Sequence, residues 1–219
     1  MKGSIYEREL KDILEGRRET LLRMGRRLNS HQRRCYYSTF HYPFVVIRAA
    51  GSLGMDLVVL RGDFSFPIEV KSSSSDVFRF SSSGGKAELQ AQNMVDQCAR
   101  SHLLPFYAYR LKGARDDPWR MFAMPLGDSE EDLWWLKESH GTFAQLVMRK
   151  VPLIERTAQG ARIMRWERGY PLSSFIDYIW ALNVRRPLPE LDEAFEERGM
   201  AHASTPHHLA AAPAAPLTP

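Results

Sequence analysis

The stretch Gly51-Ser52-Leu53-Gly54-Met55-Asp56-Leu57-Val58-Val59-Leu60-Arg61-Gly62-Asp63-Phe64-Ser65-Phe66-Pro67-Ile68-Glu69-Val70-Lys71 decides the fold. Two apolar runs, Met55 to Leu60 and Phe66 to Lys71, flank Arg61-Gly62-Asp63-Phe64, whose Gly and Asp are what a tight reversal demands. The pattern predicts a β-hairpin. Folding about Gly62 and Asp63 makes paired residue numbers sum to about 125, which sets Asp56 opposite Glu69. Side chains two apart on a strand share a face, so Lys71 joins Glu69 while Ile68 and Val70 point the other way. Facing carboxylates on a rigid scaffold repel unless a cation lies between them, and hard oxygen donors favour Mg²⁺, with Mn²⁺ as a substitute. The plain structural alternative for Asp56, Glu69 and Lys71 is a cross-strand ion pair on an exposed sheet face.

Asp56, followed after twelve residues by Glu69-Val70-Lys71, resembles the signature of the PD-(D/E)xK nuclease superfamily. Three flanking motifs narrow the likeness: Lys2-Gly3-Ser4-Ile5-Tyr6-Glu7-Arg8-Glu9-Leu10, Arg48-Ala49-Ala50-Gly51-Ser52, and Ile68-Glu69-Val70-Lys71-Ser72-Ser73-Ser74-Ser75-Asp76. Together, and in this order, they resemble archaeal-type Holliday junction resolvases over roughly residues 1–124. The resemblance implies a dimeric, Mg²⁺-dependent endodeoxyribonuclease that cuts four-way DNA junctions. It implies Asp56, Glu69, the Val70 carbonyl and Glu7 around the metal. Lys71 would orient water or neutralise developing charge, and Ser52 would complete the catalytic set. Arg8, Arg48, Ser72 and Ser73 would meet DNA. Because the same core serves many nucleases, a duplex or flap endonuclease and a non-catalytic DNA-binding protein stay open as alternatives.

The chain has 219 residues and a net charge of +4, a mild basic excess that does not by itself imply nucleic acid. Its distribution says more. Residues 17–34 hold seven arginines against one acid, Glu19, an electrostatic footprint for phosphates that adds Arg26, Arg27, Arg33 and Arg34 to the expected DNA contacts. This basic stretch opens an insert over about residues 17–43, longer than the family's usual connection and rich in aromatics: Tyr36, Tyr37, Phe40 and Tyr42. Its Leu21, Leu22, Met24 and Leu28 form an apolar stripe, predicting a helix that packs on one face and meets DNA on the other.

No apolar run approaches the roughly 20 residues of a membrane span, and a cytoplasmic location is expected. The two cysteines, Cys35 and Cys98, read as free thiols. Cys35 between His31 and His41 invites a zinc reading but lacks a convincing fourth ligand.

In order along the chain, Ser4 to Glu7 fits a capping box opening the first helix, which leaves Glu7 with two readings, a cap or a metal-site residue. Phe44 to Arg48 reads as a buried strand, with Gly51 and Gly54 allowing close approach of a DNA backbone. Residues 72–85, with seven serines, read as a mobile loop. Ala87 to Arg100 reads as a helix with Leu89, Met94, Val95 and Cys98 inward. Phe106 to Leu111 and Trp119 to Met124 read as strands. The order α, three β, α, two β predicts an α/β fold with a mixed central sheet flanked by helices, the arrangement of the restriction-endonuclease-like core that the resemblance implies. Residues 1–126 would form this core and 127–184 an α+β appendage. That appendage would hold a helix over 130–149, a hairpin turned at Gln159-Gly160, and an aromatic helix from Pro171. From 185 on, Pro, acids and Ala-Pro repeats predict a disordered tail, which holds His202, His207 and His208.

Overall fold

A computed structural model describes residues 3–49, 54–61, 64–80, 85–101, 103–126 and 149–184. Ser52, Gly51, all but the last residue of the helix expected over 130–149, and the tail from 185 lie outside the described residues. The chain begins with three helices, α1 (Gly3–Leu14), α2 (Arg18–Gly25) and α3 (Ser30–His41). The strands β1 (Val45–Arg48), β2 (Leu57–Arg61), β3 (Phe64–Ser73) and β4 (Val77–Arg79) follow, then α4 (Lys86–Ser101). After them come β5 (Phe106–Leu111), β6 (Trp119–Ala123), β7 (Glu155–Arg156), β8 (Arg162–Arg165), β9 (Tyr170–Pro171) and α5 (Leu172–Val184).

The fold is α/β, with a central mixed sheet ordered β1-β2-β3-β5-β6-β9 and helices against it. Among the described strands, β3 and β5 pair in parallel, joined through α4 as a crossover demands. Phe66 and Phe106 pack edge-to-face with Phe175 of α5, at 5.7 and 5.5 Å. Glu69 and Lys71 project from the opposite face of β3, where Gln90 of α4 meets them. The sheet is therefore covered on both faces, and the carboxylate face is lined rather than open to solvent.

Residues 149–184 are woven into this framework. β9 extends the central sheet along β6, and β8 pairs with both β4 and β7 in a second, three-stranded sheet. The hairpin expected about Gln159-Gly160 is present, with Gly160 at φ 79°.

Several expectations need correction. The basic insert is two helices, not one, and its Tyr36 and Tyr37 are buried, so they stack on no bases. Tyr36 instead donates to Asp117 at 2.7 Å. That carboxylate, fully buried, also accepts from the Trp119 and Ser173 backbone amides and ties α3, β6 and α5 together. Strand β1 lies at an edge of the sheet among the described residues, which leaves Val45 61% and Ile47 53% exposed instead of buried. The serine-rich stretch is only partly a loop. Ser72 and Ser73 continue β3 against β5, and Val77–Arg79 pairs with residues 163–165. No helix among the described residues is long and apolar enough to cross a membrane.

Candidate active site

The hairpin register is the one the turn residues dictate: Leu57 pairs with Ile68 and Arg61 with Phe64, which places Asp56 across from Glu69. Asp56 stands just before β2, its amide donating to the Ile68 carbonyl at 3.0 Å and its Oδ2 accepting from the Val70 amide at 2.8 Å. The side chain is thus held by the strand it faces. Glu69 is 2% exposed. Its Oε1 accepts from Lys71 Nζ at 2.7 Å and from Gln90 Nε2 at 2.8 Å, while Lys71 also donates to Gln90 Oε1 at 3.1 Å. Its Oε2 is buried without a hydrogen-bond partner.

Burial pushes the Glu69 carboxyl up to about 7; the Lys71 ammonium opposes the rise and the Asp56 carboxylate adds to it. Burial raises Asp56 as well, against the pull of the Val70 amide and with the help of Glu7. Two desolvated carboxyls facing each other favour either a shared proton or a cation.

These groups open on a cleft of about 670 Å³ lined by Glu7, Gly54, Asp56, Glu69, Val70 and Lys71, with Lys86, Leu89, Gln90 and Asn93 from α4. The donors are hard oxygens, one of them a buried acceptor that takes no hydrogen, and they fit Mg²⁺ or Mn²⁺ better than a softer ion.

Glu7 and Glu9 part company for a helical reason. Two residues on a helix stand about 200° apart, so they face opposite ways. Glu9 turns inward to accept from Arg110 Nε at 2.6 Å and Trp119 Nε1 at 3.2 Å. Glu7 turns to the cleft. Helix α1 begins at Gly3, and the Glu7 Oε2 accepts from Arg48 Nη2 at 2.6 Å. Among the described residues, Glu7, Asp56 and Glu69 do not bring three ligand atoms within 4.8 Å of one another.

The remaining expected contacts are scattered in role. Arg48 reaches the cleft through Glu7, and Arg8 is exposed on α1. Arg26 and Arg27 are exposed in the turn after α2. Arg33 donates to the Gly25 and Leu28 carbonyls at 3.1 and 3.4 Å, locking the α2–α3 turn, so this guanidinium has a structural task. Arg34 lies 3.5 Å from His31 Nδ1. Ser72 and Ser73 are half-buried on β3, and Ser73 Oγ accepts from the Ser75 amide at 2.9 Å.

Gln90, Leu89 and Gly54 take places at the cleft that the sequence did not assign to them. Gln90 is an ordinary helical amide until folding sets it between Glu69 and Lys71. Leu89 was assigned to the inner face of α4 but is 56% exposed at the cleft, with Ala91 taking the buried place. Gly54, at φ 72°, has space for no side chain because an added Cβ would meet the Gln90 carbonyl at 2.8 Å. It serves the approach of α4. The glycine itself was the available signal.

No protein-family model and no curated protein matches the chain. Among solved structures it is similar to Hjc, a Holliday junction resolvase of the archaeal hyperthermophile Archaeoglobus fulgidus. The identity is 17% and the TM-score 0.44, over 80% of this chain and 96% of that one.

Proposed function

We propose that the chain is a Mg²⁺-dependent endodeoxyribonuclease that, as a homodimer, resolves four-way DNA junctions by paired phosphodiester hydrolysis. The observation that carries the nuclease reading is Asp56 and Glu69 held face to face beside Lys71, with an unpartnered buried Glu69 oxygen at an open cleft. A surface ion pair would leave no such oxygen and would not be buried to 2%.

Asp56, Glu69 and the Val70 carbonyl would hold the cation, which when bound supplies Lewis acidity toward a phosphoryl oxygen and a more acidic water. Lys71, fixed by Glu69 and Gln90, offers its ammonium to the attacking water or to charge developing on the phosphorane. Glu7 positions Arg48, whose guanidinium grips the scissile phosphate alongside Arg8 and Ser52. Arg26, Arg27 and Arg34, with Ser72 and Ser73, contact the DNA backbone and set its register without reading sequence. Junction specificity and dimerisation follow the motif resemblance, since symmetric cuts need two sites related by a two-fold axis and this chain has one.

The test uses a labelled four-way junction and a linear duplex of the same arms, each with Mg²⁺ and with EDTA. Symmetric paired nicks in the junction alone, absent in EDTA, are expected. Equal cutting of the duplex removes junction specificity while keeping the active site. Binding without cutting removes the enzyme reading.

A further inference from the structure

The geometry points to a second metal site, distant in chemistry from the carboxylate cleft: His31, Cys35 and Asp177 form a zinc-class site that staples α3 to α5. His31 and Cys35 are four residues apart on α3, hence on one face a single turn apart. Asp177 comes from α5, far away in sequence, and the three ligand atoms lie within 4.8 Å of one another. Sequence alone could not supply this third ligand, because His41 is the residue that proximity along the chain offers.

Tetrahedral zinc, with bonds of about 2.0–2.3 Å, sets neighbouring nitrogen, sulfur and oxygen donors about 3.4–3.6 Å apart. Cys35 Sγ and His31 Nε2 already stand 3.7 Å apart. Asp177 is half-buried, and a rotation of its side chain closes the remaining distance. Cys35 is fully buried while His31 is exposed, so the site has a dry floor and an entry path. Water takes the fourth position from the exposed side.

The surroundings are negative at the floor. The Asp177 and Asp117 carboxylates put negative charge near Cys35, which a dication offsets. Arg34 opposes it, with Nη2 3.5 Å from His31 Nδ1; metal binding at Nε2 puts the proton on Nδ1 and turns this guanidinium away. A nitrogen–sulfur–oxygen set with a thiolate selects zinc or cobalt over Mg²⁺, so the two sites take different ions.

Co²⁺ titrated into the EDTA-stripped full-length protein tests the assignment, with the Asp56→Asn variant run in parallel to remove the cleft as a binding site. The expected result is a thiolate-to-cobalt charge-transfer band saturating at one equivalent in both proteins, abolished in Cys35→Ser. His31→Ala, an exposed change that leaves the core intact, weakens binding by at least about tenfold, and Arg34→Gln tightens it. Zn²⁺ displaces the band and raises the melting temperature of the wild type but not of His31→Ala. The histidines at 202, 207 and 208 can bind Co²⁺ but give no thiolate band. Absence of the band, or a band unchanged in His31→Ala, overturns the site.

Discussion

The side-chain nitrogen of Gln90 lies 2.8 Å from Glu69 Oε1, and its oxygen accepts from Lys71 at 3.1 Å, so helix α4 fixes the relative placement of the acid and the lysine. Gln90→Ala removes both bonds without emptying the core. We expect cleavage to fall by about 10–100-fold, with a matching rise in the Mg²⁺ concentration needed for half-maximal rate. Junction affinity in EDTA, by gel shift, is expected to stay at the wild-type value.

Gly54→Ala is expected to cost about 1–3 kcal/mol in urea unfolding, because the backbone is left-handed there and a Cβ strikes the Gln90 carbonyl. Cleavage falls as well, since relief of the clash moves the helix that carries Gln90. A Gly160→Ala control, strained in φ but with open space around it, is expected to lose stability and keep cleavage.

Asp117→Ala leaves the Tyr36 hydroxyl and the Trp119 and Ser173 amides without their buried acceptor. A loss of about 3–5 kcal/mol is expected. The double variant with Tyr36→Phe loses less than the sum of the two single changes, which a thermodynamic cycle measures.

The metal-free protein is expected to lose stability as pH rises. Glu69 keeps a proton up to about pH 7 in the folded state, whereas an ordinary carboxyl of its kind releases one near 4.5. The folded form binds the extra proton, so this contribution is whole below the lower value and gone above the upper one. Melting temperatures in EDTA at about pH 5 and about pH 8 are expected to differ more for wild type than for Glu69→Gln. Mg²⁺ restores stability mainly at the higher pH.

What the sequence shows of this fold is what depends on neighbours along the chain. The hairpin was legible because Gly62-Asp63 fixes the register locally, and that register carries Asp56, Glu69 and Lys71 into one place. The β4–β8 pairing was not, because Val77–Arg79 finds its partner at residues 163–165 and nothing in either stretch names the other. Tyr36 and Tyr37 read as part of a basic, aromatic DNA-facing insert, but Asp117 draws the Tyr36 hydroxyl into the core. Leu89 and Ala91 exchange the places that apolarity assigns them because α4 lies beside a cleft, where helix periodicity does not distinguish a rim from a core. Glu7 was ambiguous between cap and cleft, because its partner Arg48 lies 41 residues away on β1, where no spacing along the chain could point to it.

The most direct measurement of the central claim is single-turnover cleavage of a four-way junction by wild type and Asp56→Asn, with binding of the same junction measured in parallel. Loss of cutting by at least about 1000-fold is expected, a barrier increase of roughly 4 kcal/mol, with junction affinity within about threefold of wild type. An Asp56→Asn protein that cuts at the wild-type rate would contradict the active site described here.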